Sequence, residues 1–207
     1  MRTKSSILTL FLMLFGYLSL NAQQQITIAT GTPGTPDHHS GPIYRSGSTS
    51  TYFYSRYAYL YSAGELDAAG MQPGTQITEI AWFKSNATTL GASRDNAFKI
   101  YLRVGGSDTS YSSATKSYAD LLVNATLVYD SLITLPGSSG WVVFKLNTPF
   151  TYTGGTLEVI TDFDQSNGSG NGSSADIDWA WRTVPDRIYG SASGTSSPTT
   201  LSSTSNS

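Results

Sequence analysis

The stretch Thr51-Tyr-Phe-Tyr-Ser-Arg-Tyr-Ala-Tyr-Leu-Tyr61 decides the fold class of this chain. Its odd-numbered positions from Phe53 to Tyr61 point to one side of an extended backbone, and its even-numbered positions point to the other. A side-chain period of two is the period of a β-strand. The stretch therefore predicts a strand that carries aromatic rings on both faces.

Segments of similar character recur along the chain between runs of Gly, Ser, Asn and Pro. With the first stretch they predict eight strands, the others being residues 25–30, 76–84, 97–104, 126–135, 141–146, 156–162 and 177–183. Helix signals are confined to a capping box of Ser62 and Glu65, which predicts a helical turn ending at Gly70, and to residues 116–122. We therefore predict an all-β fold, a two-sheet antiparallel β-sandwich of the jelly-roll kind, with one or two short helical turns.

The composition removes several classes of function. Only 13% of the residues are charged and 39% are hydrophobic, which is typical of neither a helical bundle nor a disordered chain. The chain has no cysteine, and its two histidines are His38 and His39. Disulfide scaffolds, thiol catalysis and zinc sites built from thiolates or three histidines are therefore excluded.

The first 22 residues have the pattern of a secretory signal peptide. Arg2 and Lys4 precede a fourteen-residue apolar run, and Ala22 offers a cleavage position. We therefore expect export to the extracellular space or the outer cell surface, with no membrane span in the mature chain. Ten basic and fourteen acidic residues remain after cleavage, a net charge of −4 that disfavours nucleic acid as a partner.

One sandwich domain is expected over residues 23–189. Residues 190–207 consist almost entirely of Gly, Ser, Thr and Asn and show no strand pattern. They are expected to be either a disordered linker or, the favoured alternative, a segment truncated before a final strand.

Five segments carry a family resemblance: Ser40-Gly-Pro-Ile-Tyr-Arg45, Tyr57-Ala-Tyr-Leu-Tyr-Ser-Ala-Gly-Glu-Leu-Asp-Ala-Ala-Gly70, Ile77-Thr-Glu-Ile-Ala-Trp82, Phe98-Lys-Ile-Tyr101 and Thr148-Pro-Phe-Thr-Tyr-Thr-Gly-Gly-Thr-Leu-Glu-Val159. They resemble an N-terminal β-sandwich module of secreted multidomain surface proteins from Bacteroidetes-type bacteria. The resemblance covers residues 26–204. In such proteins fibronectin type III-like repeats and a type IX secretion sorting domain lie downstream. The resemblance implies architecture and no catalytic motif, and it implies that a last strand follows the present chain.

An acidic, glycine-rich loop is the first candidate site. It joins two predicted strands, and its carboxylates are Asp162, Asp164, Asp176 and Asp178. Calcium prefers oxygen ligands of this kind, although the spacing is not that of an EF-hand. The loop is predicted either to hold Ca²⁺ or to be an ordinary solvated turn. No other cofactor is expected.

Aromatic residues form the second candidate. Tyr57, Tyr59 and Tyr61 share one strand face, and Trp179 and Trp181 share a face of another. Alternate strand residues lie roughly 6.5 Å apart, so such a row suits stacking against successive sugars. The alternative is that these rings form the core between two sheets, with Trp181 buried.

Two smaller signals remain. His38 and His39, in a Pro- and Gly-rich loop, suit either a transition metal or an exposed turn. Asp130-Ser131-Leu132 resembles a bacterial site for O-linked glycan attachment at Ser131.

No catalytic residue is expected, since no Gly-x-Ser-x-Gly elbow is present, although paired Asp residues leave a glycosidase as a minor alternative. The sequence favours a non-catalytic extracellular interaction or adhesion module that contacts polysaccharide, a surface protein or neighbouring domains. The alternatives are a carbohydrate-binding accessory domain of a secreted hydrolase and a structural spacer.

Overall fold

The structure is a computed structural model that describes residues 24–29, 31–39, 41–44, 52–90, 95–105, 111, 113–167, 176–185 and 187–204. The predicted signal peptide lies outside the described residues. In chain order the elements are β1 (Thr32–Pro33), β2 (Tyr54–Tyr61), α1 (Ala63–Ala68), β3 (Gln76–Lys84), β4 (Ala97–Val104), β5 (Thr115–Ser117), α2 (Tyr118–Leu122), β6 (Thr126–Leu132), β7 (Gly140–Thr151), β8 (Leu157–Asp164), β9 (Arg182–Thr183), β10 (Ile188–Ser193) and β11 (Thr200–Thr204).

The first layer is a seven-stranded antiparallel sheet in the order β5-β11-β10-β2-β8-β4-β6. β2, the strand of the deciding sequence stretch, lies in the interior of this sheet. It pairs with β8 from Tyr54 opposite Asp164 to Tyr61 opposite Leu157. The alternation read from the sequence therefore belongs to a central strand.

The second layer is built on the antiparallel pair β3 and β7. At the Lys84 end of β3 the layer continues through isolated bridges, because Trp179 pairs with both Lys84 and Asp37. The chain then continues into the short pair β1 and β9. This arrangement confirms the predicted all-β, antiparallel, sandwich-like fold, with two short helices among the described residues.

Apolar side chains fill the space between the layers. Phe98, Ile100 and Leu102 of β4 face inwards as predicted, and they belong to the same buried cluster as Val142 and Phe144 of β7. Burial of each large apolar side chain stabilises the fold by about 1.5–3 kcal/mol. This cluster is the main core of the protein.

The outer face of the large sheet is also covered. Helix α2 buries Tyr118 and Leu121 against Ala58 of β2, Ile160 of β8 and Tyr189 of β10. β2 therefore contacts apolar partners on both sides, which explains why its sequence carries large side chains at both odd and even positions.

The capping box predicted at Ser62 is present. The Ser62 hydroxyl accepts a hydrogen bond from the Glu65 amide, and the Glu65 carboxylate accepts one from the Ser62 amide at 2.8 Å. α1 begins one residue later and ends at Ala68, and Gly70 follows with a φ of 92°. The capping pair thus fixes where the chain leaves β2.

Three sequence predictions are wrong. Residues 177–183 are not one strand, because Trp179 forms isolated bridges and only Arg182–Thr183 form a strand, β9. The strand predicted over residues 25–30 does not form over its described part, residues 25–29. Ile26 and Ile28 are partly buried against the core, but no described segment pairs with their backbone. Residues 190–207, assigned no strand, contain the end of β10 and all of β11. Leu201 in β11 is fully buried, and β10 and β5 supply backbone partners on both sides. The predicted boundary at residue 189 consequently falls inside β10.

Gly41 offers a test of the packing around Trp179. A Cβ on Gly41 would lie inside the Trp179 ring, which is fully buried and whose Nε1 donates to the Ile43 carbonyl at 3.1 Å. We expect Gly41→Ala to lower the free energy of unfolding by about 1–3 kcal/mol, since the ring has no free space into which to move. Urea unfolding followed by tryptophan fluorescence measures the change.

The matched control is Gly64→Ala in exposed α1, where an added Cβ meets nothing within 4 Å. Alanine there should stabilise the protein by about 0.5–1 kcal/mol. Equal effects of the two substitutions would contradict the packing of Gly41 on Trp179.

Candidate functional site

A groove of about 540 Å³ lies between the two layers, at the side where β3 has no neighbour along most of its length. Its floor includes Tyr59 and Tyr61 of β2, and one wall is formed by residues 79–83 of β3. Residues 180–182, Ile26 and Ile28 also line the groove.

The groove exists because the segment that follows Trp179 runs beside β3 for only one residue and then diverges from it. The Ala180 amide donates to the Phe83 carbonyl at 2.9 Å, so residue 180 still adjoins β3. Further along, Trp181 accepts from the Gly34 amide and Thr183 pairs with Thr32, which draws the chain towards β1. The segment then crosses to the large sheet, where β10 begins beside β2.

Aromatic rings line the groove on several sides. The Tyr59 ring lies 6.0 Å from the Trp82 ring and 6.0 Å from the stacked Tyr57 ring behind it. Trp181 is half-buried, and its Nε1 donates to the Thr35 carbonyl. Its ring lies directly against Gly34, where a Cβ would overlap it. These contacts fix Trp181 at the wall of the groove.

Polar groups occur at defined points of the same groove. Arg187 forms an ion pair with Glu65, the carboxylate that also completes the capping box. The Arg182 guanidinium donates to the Gly31 carbonyl at 3.0 Å. The Tyr59 hydroxyl is buried and has no hydrogen-bond partner among the described residues. An unpartnered buried hydroxyl costs about 1–3 kcal/mol, so this atom is a candidate contact for a ligand.

Burial governs the acid–base behaviour of the tyrosines in β2. It raises the pKa values of Tyr57 and Tyr59 above that of a free phenol. Burial, with a smaller contribution from the Glu65 carboxylate, raises the pKa of Tyr61 to about 12. These hydroxyls therefore remain protonated, as donors, throughout the neutral range.

The predicted aromatic platform is divided between core and groove. Tyr57 and Trp179 are buried core residues and do not line the groove. Tyr59, Tyr61 and Trp181 do line it, with Tyr59 buried at the floor. Trp181, which was expected to be buried, is only half-buried and lines the wall of the groove.

The four predicted calcium ligands lie in two places. Asp162, on the outer face of the large sheet, accepts a hydrogen bond from Arg56 at 2.9 Å, and that guanidinium stacks on the Tyr118 ring. Asp164, at the end of β8, accepts from the Ser166 amide. Neither joins a cluster of three potential ligands among the described residues, whereas Asp176 and Asp178 form one with His38. Residues 168–175 of the loop lie outside the described residues.

The remaining predicted residues lie at the surface. Ser131 is exposed in β6, an edge strand of the large sheet, and its hydroxyl donates to the Leu132 carbonyl at 3.3 Å. His39 is exposed, and its amide donates to the Asp37 carboxylate at 2.8 Å.

Sequence reasoning missed Trp82, Glu65 and Arg187 as groove residues. The strand pattern assigned Trp82 to a β face, and the capping box accounted for Glu65, so neither carried a separate signal. Arg187 reaches Glu65 across 122 positions of the chain, and only the pairing of β10 with β2 brings them together.

Comparison with family models, with curated proteins and with solved structures finds no match for this chain. Within the described ranges, no helix is long and apolar enough to cross a membrane.

The raised pKa of Tyr61 predicts a loss of stability at alkaline pH. An unfolded phenol ionises near pH 10, whereas folded Tyr61 keeps its proton to about pH 12. The unfolded state therefore releases the proton first, and the contribution to stability, complete below pH 10, is lost as the pH rises towards 12. We expect Tyr61→Phe to reduce the slope of unfolding free energy against pH between 10 and 12.

Denaturant unfolding at successive pH values measures that slope. The control is Tyr52→Phe, since Tyr52 lies outside the β2 core. An alkaline slope unaffected by Tyr61→Phe would contradict the assignment.

Proposed function

We propose that this chain is a non-catalytic interaction module of a secreted or surface-exposed protein, and that it binds a segment of polysaccharide in the aromatic groove. The observation that carries the proposal is the combination of ring-lined walls with the unpartnered Tyr59 hydroxyl at the floor. The signal-peptide pattern and the family resemblance support an extracellular setting.

The groove offers both kinds of surface that a sugar presents. The C–H face of a sugar ring is apolar and suits the half-buried ring of Trp181, while its hydroxyls need hydrogen-bond partners. Tyr59 offers a hydroxyl, and the outer atoms of the Glu65–Arg187 pair offer an acceptor and donors. Wet, hydrogen-bonded contacts of this kind are weak singly and gain strength by repetition in a longer protein.

The charges favour an uncharged ligand. Glu65 and Arg187 neutralise one another, and the mature sequence carries a net charge of −4, which repels polyanions. We propose binding in preference to catalysis because the Glu65 carboxylate is already engaged by the capping box and by Arg187.

A protein partner is the second candidate, carried by exposed apolar residues of the β3–β7 pair that border the groove at Phe83 and Trp141. On the outer face of the β3–β7 pair, Phe83 lies opposite Trp141 and Ala81 lies opposite Val143. Phe83, Trp141 and Val143 are 37%, 49% and 53% exposed. Adjacent exposed apolar residues of this size are typical of contact surfaces between proteins or domains.

Two substitutions test the sugar proposal. Trp181→Ala should weaken binding of neutral polysaccharide about tenfold, because loss of a ring contact costs about 1.4 kcal/mol. Tyr59→Phe should weaken binding while leaving the protein as stable or more stable, because it removes a buried hydroxyl without a protein partner. Affinity gel electrophoresis over a panel of soluble neutral polysaccharides measures binding, and urea unfolding measures stability.

Leu132→Ala is the control, since it removes an exposed apolar side chain from β6, far along the sheet order from the groove. Failure of the unsubstituted protein to bind any polysaccharide would contradict the proposal and favour the apolar outer face as the functional surface. Equal weakening by Leu132→Ala would show that the groove is not the binding site.

A further inference from the structure

We propose that His38, Asp176 and Asp178 form a binding site for a divalent metal ion of the zinc or manganese class. One ligand atom from each of these side chains lies within 4.8 Å of the other two. None of the three lines the aromatic groove, so the site is separate from the proposed sugar site.

Backbone pairing places the three side chains together. The Asp37 and Trp179 backbones exchange two hydrogen bonds, at 3.2 Å and 2.8 Å, and form an antiparallel bridge. Because the two segments run antiparallel, His38, which follows Asp37, lies opposite Asp178, which precedes Trp179. The side chains of His38 and Asp178 therefore lie on the same face. Asp176, two positions before Asp178, projects to that face as well. The opposite face carries the buried Trp179 ring.

Asn86 holds the Asp178 carboxylate and the Asp176 backbone from outside the cluster. Its side-chain amide donates to Asp178 Oδ2 at 2.9 Å and to the Asp176 carbonyl at 2.8 Å. The Asn86 backbone carbonyl accepts a hydrogen bond from the buried Lys84 ammonium. Hydrogen bonds that hold the ligating carboxylate are a regular feature of protein metal sites.

One oxygen of the cluster is left without a partner. The Asp176 side chain is 46% exposed, but its Oδ1 atom is inaccessible to solvent and accepts no hydrogen bond from any described residue. The His38 Nδ1 atom lies 3.9 Å away, beyond hydrogen-bonding distance. A cation between these two atoms would satisfy the buried oxygen and would screen the two carboxylates from one another.

The donor set selects the class of ion. Calcium takes six to eight oxygen ligands, whereas zinc and manganese accept an imidazole nitrogen beside carboxylate oxygens. Ligands of zinc lie about 2.0–2.2 Å from the ion, hence roughly 3–3.5 Å from one another. His38 and the two Asp side chains are only partly buried, so small side-chain rotations close the gap from 3.9 Å. Water completes the coordination.

The test uses the protein without a histidine tag, after removal of metal with a chelator. Calorimetric titration with ZnCl₂, MnCl₂ and CaCl₂ should show one zinc or manganese ion per chain and weaker or no calcium binding. At a hundredfold excess over Kd the ion should raise the midpoint of thermal unfolding by roughly 5–10 °C. His38→Ala and Asp178→Ala should each weaken binding at least about tenfold.

His39→Ala is the matched control, because it removes the adjacent, more exposed imidazole and leaves the cluster intact. Binding that survives His38→Ala, that is lost equally in His39→Ala, or that is strongest for calcium would each overturn the proposal, as would absence of any binding. Circular dichroism shows whether each variant is folded, and a variant that has lost its β signal is replaced by Asp176→Asn, which preserves shape while removing the charge.

Discussion

Trp179 is the residue on which the second layer depends. Its backbone pairs with Asp37 on one side and Lys84 on the other, while its ring is fully buried. Two chain segments far apart in sequence are thereby joined to the edge of β3 at one point. The aromatic groove opens on one side of that point, and the His38 cluster lies on the other.

Burial of the large sheet on both faces determines where its polar groups lie. Arg56 and Asp162, on adjacent central strands, meet under helix α2 and are half-buried there. The Arg56 guanidinium also donates to the Pro198 carbonyl at 2.7 Å and stacks on Tyr118. Asp162 thus has a structural partner on the outer face of the large sheet and is not part of the cluster of His38, Asp176 and Asp178. The loop-end position of Asp176 and Asp178 leaves them available.

The parts of the fold predicted correctly are those with local causes. The capping box at Ser62 needs only three residues, and the inward row of β4 needs only its own alternation. β11 was missed because Leu201 is its one large apolar side chain; its other residues are Ser and Thr, and partners on both sides hold them in the sheet. Burial and backbone pairing are different properties, and Ile26 and Ile28 show burial alone.

Prediction of the candidate sites required knowledge of which strands pair and in what register, whereas prediction of the fold class did not. Tyr59 and Trp181 were recognised as aromatic residues, but the distinction between core and groove arises where residues 181–184 leave β3. Likewise, Asp176 and Asp178 were recognised as possible ligands, but their grouping with His38 follows from the bridge at Trp179. The residue types alone indicated which side chains could bind a sugar or a metal ion. Which of them share a site depends on backbone pairing between segments more than a hundred residues apart in the chain.

The two proposed sites share one pair of segments. Residues 34–38 carry His38 and also Gly34 and Thr35, which hold the Trp181 ring. The facing segment carries Asp176, Asp178 and Trp181 itself. If the proposed ion binds at His38, it would restrain both segments and with them the wall of the groove. Ordering a wall before the ligand arrives lowers the entropic cost of binding. Such an ion would therefore strengthen sugar binding, and by reciprocity a bound sugar would strengthen ion binding.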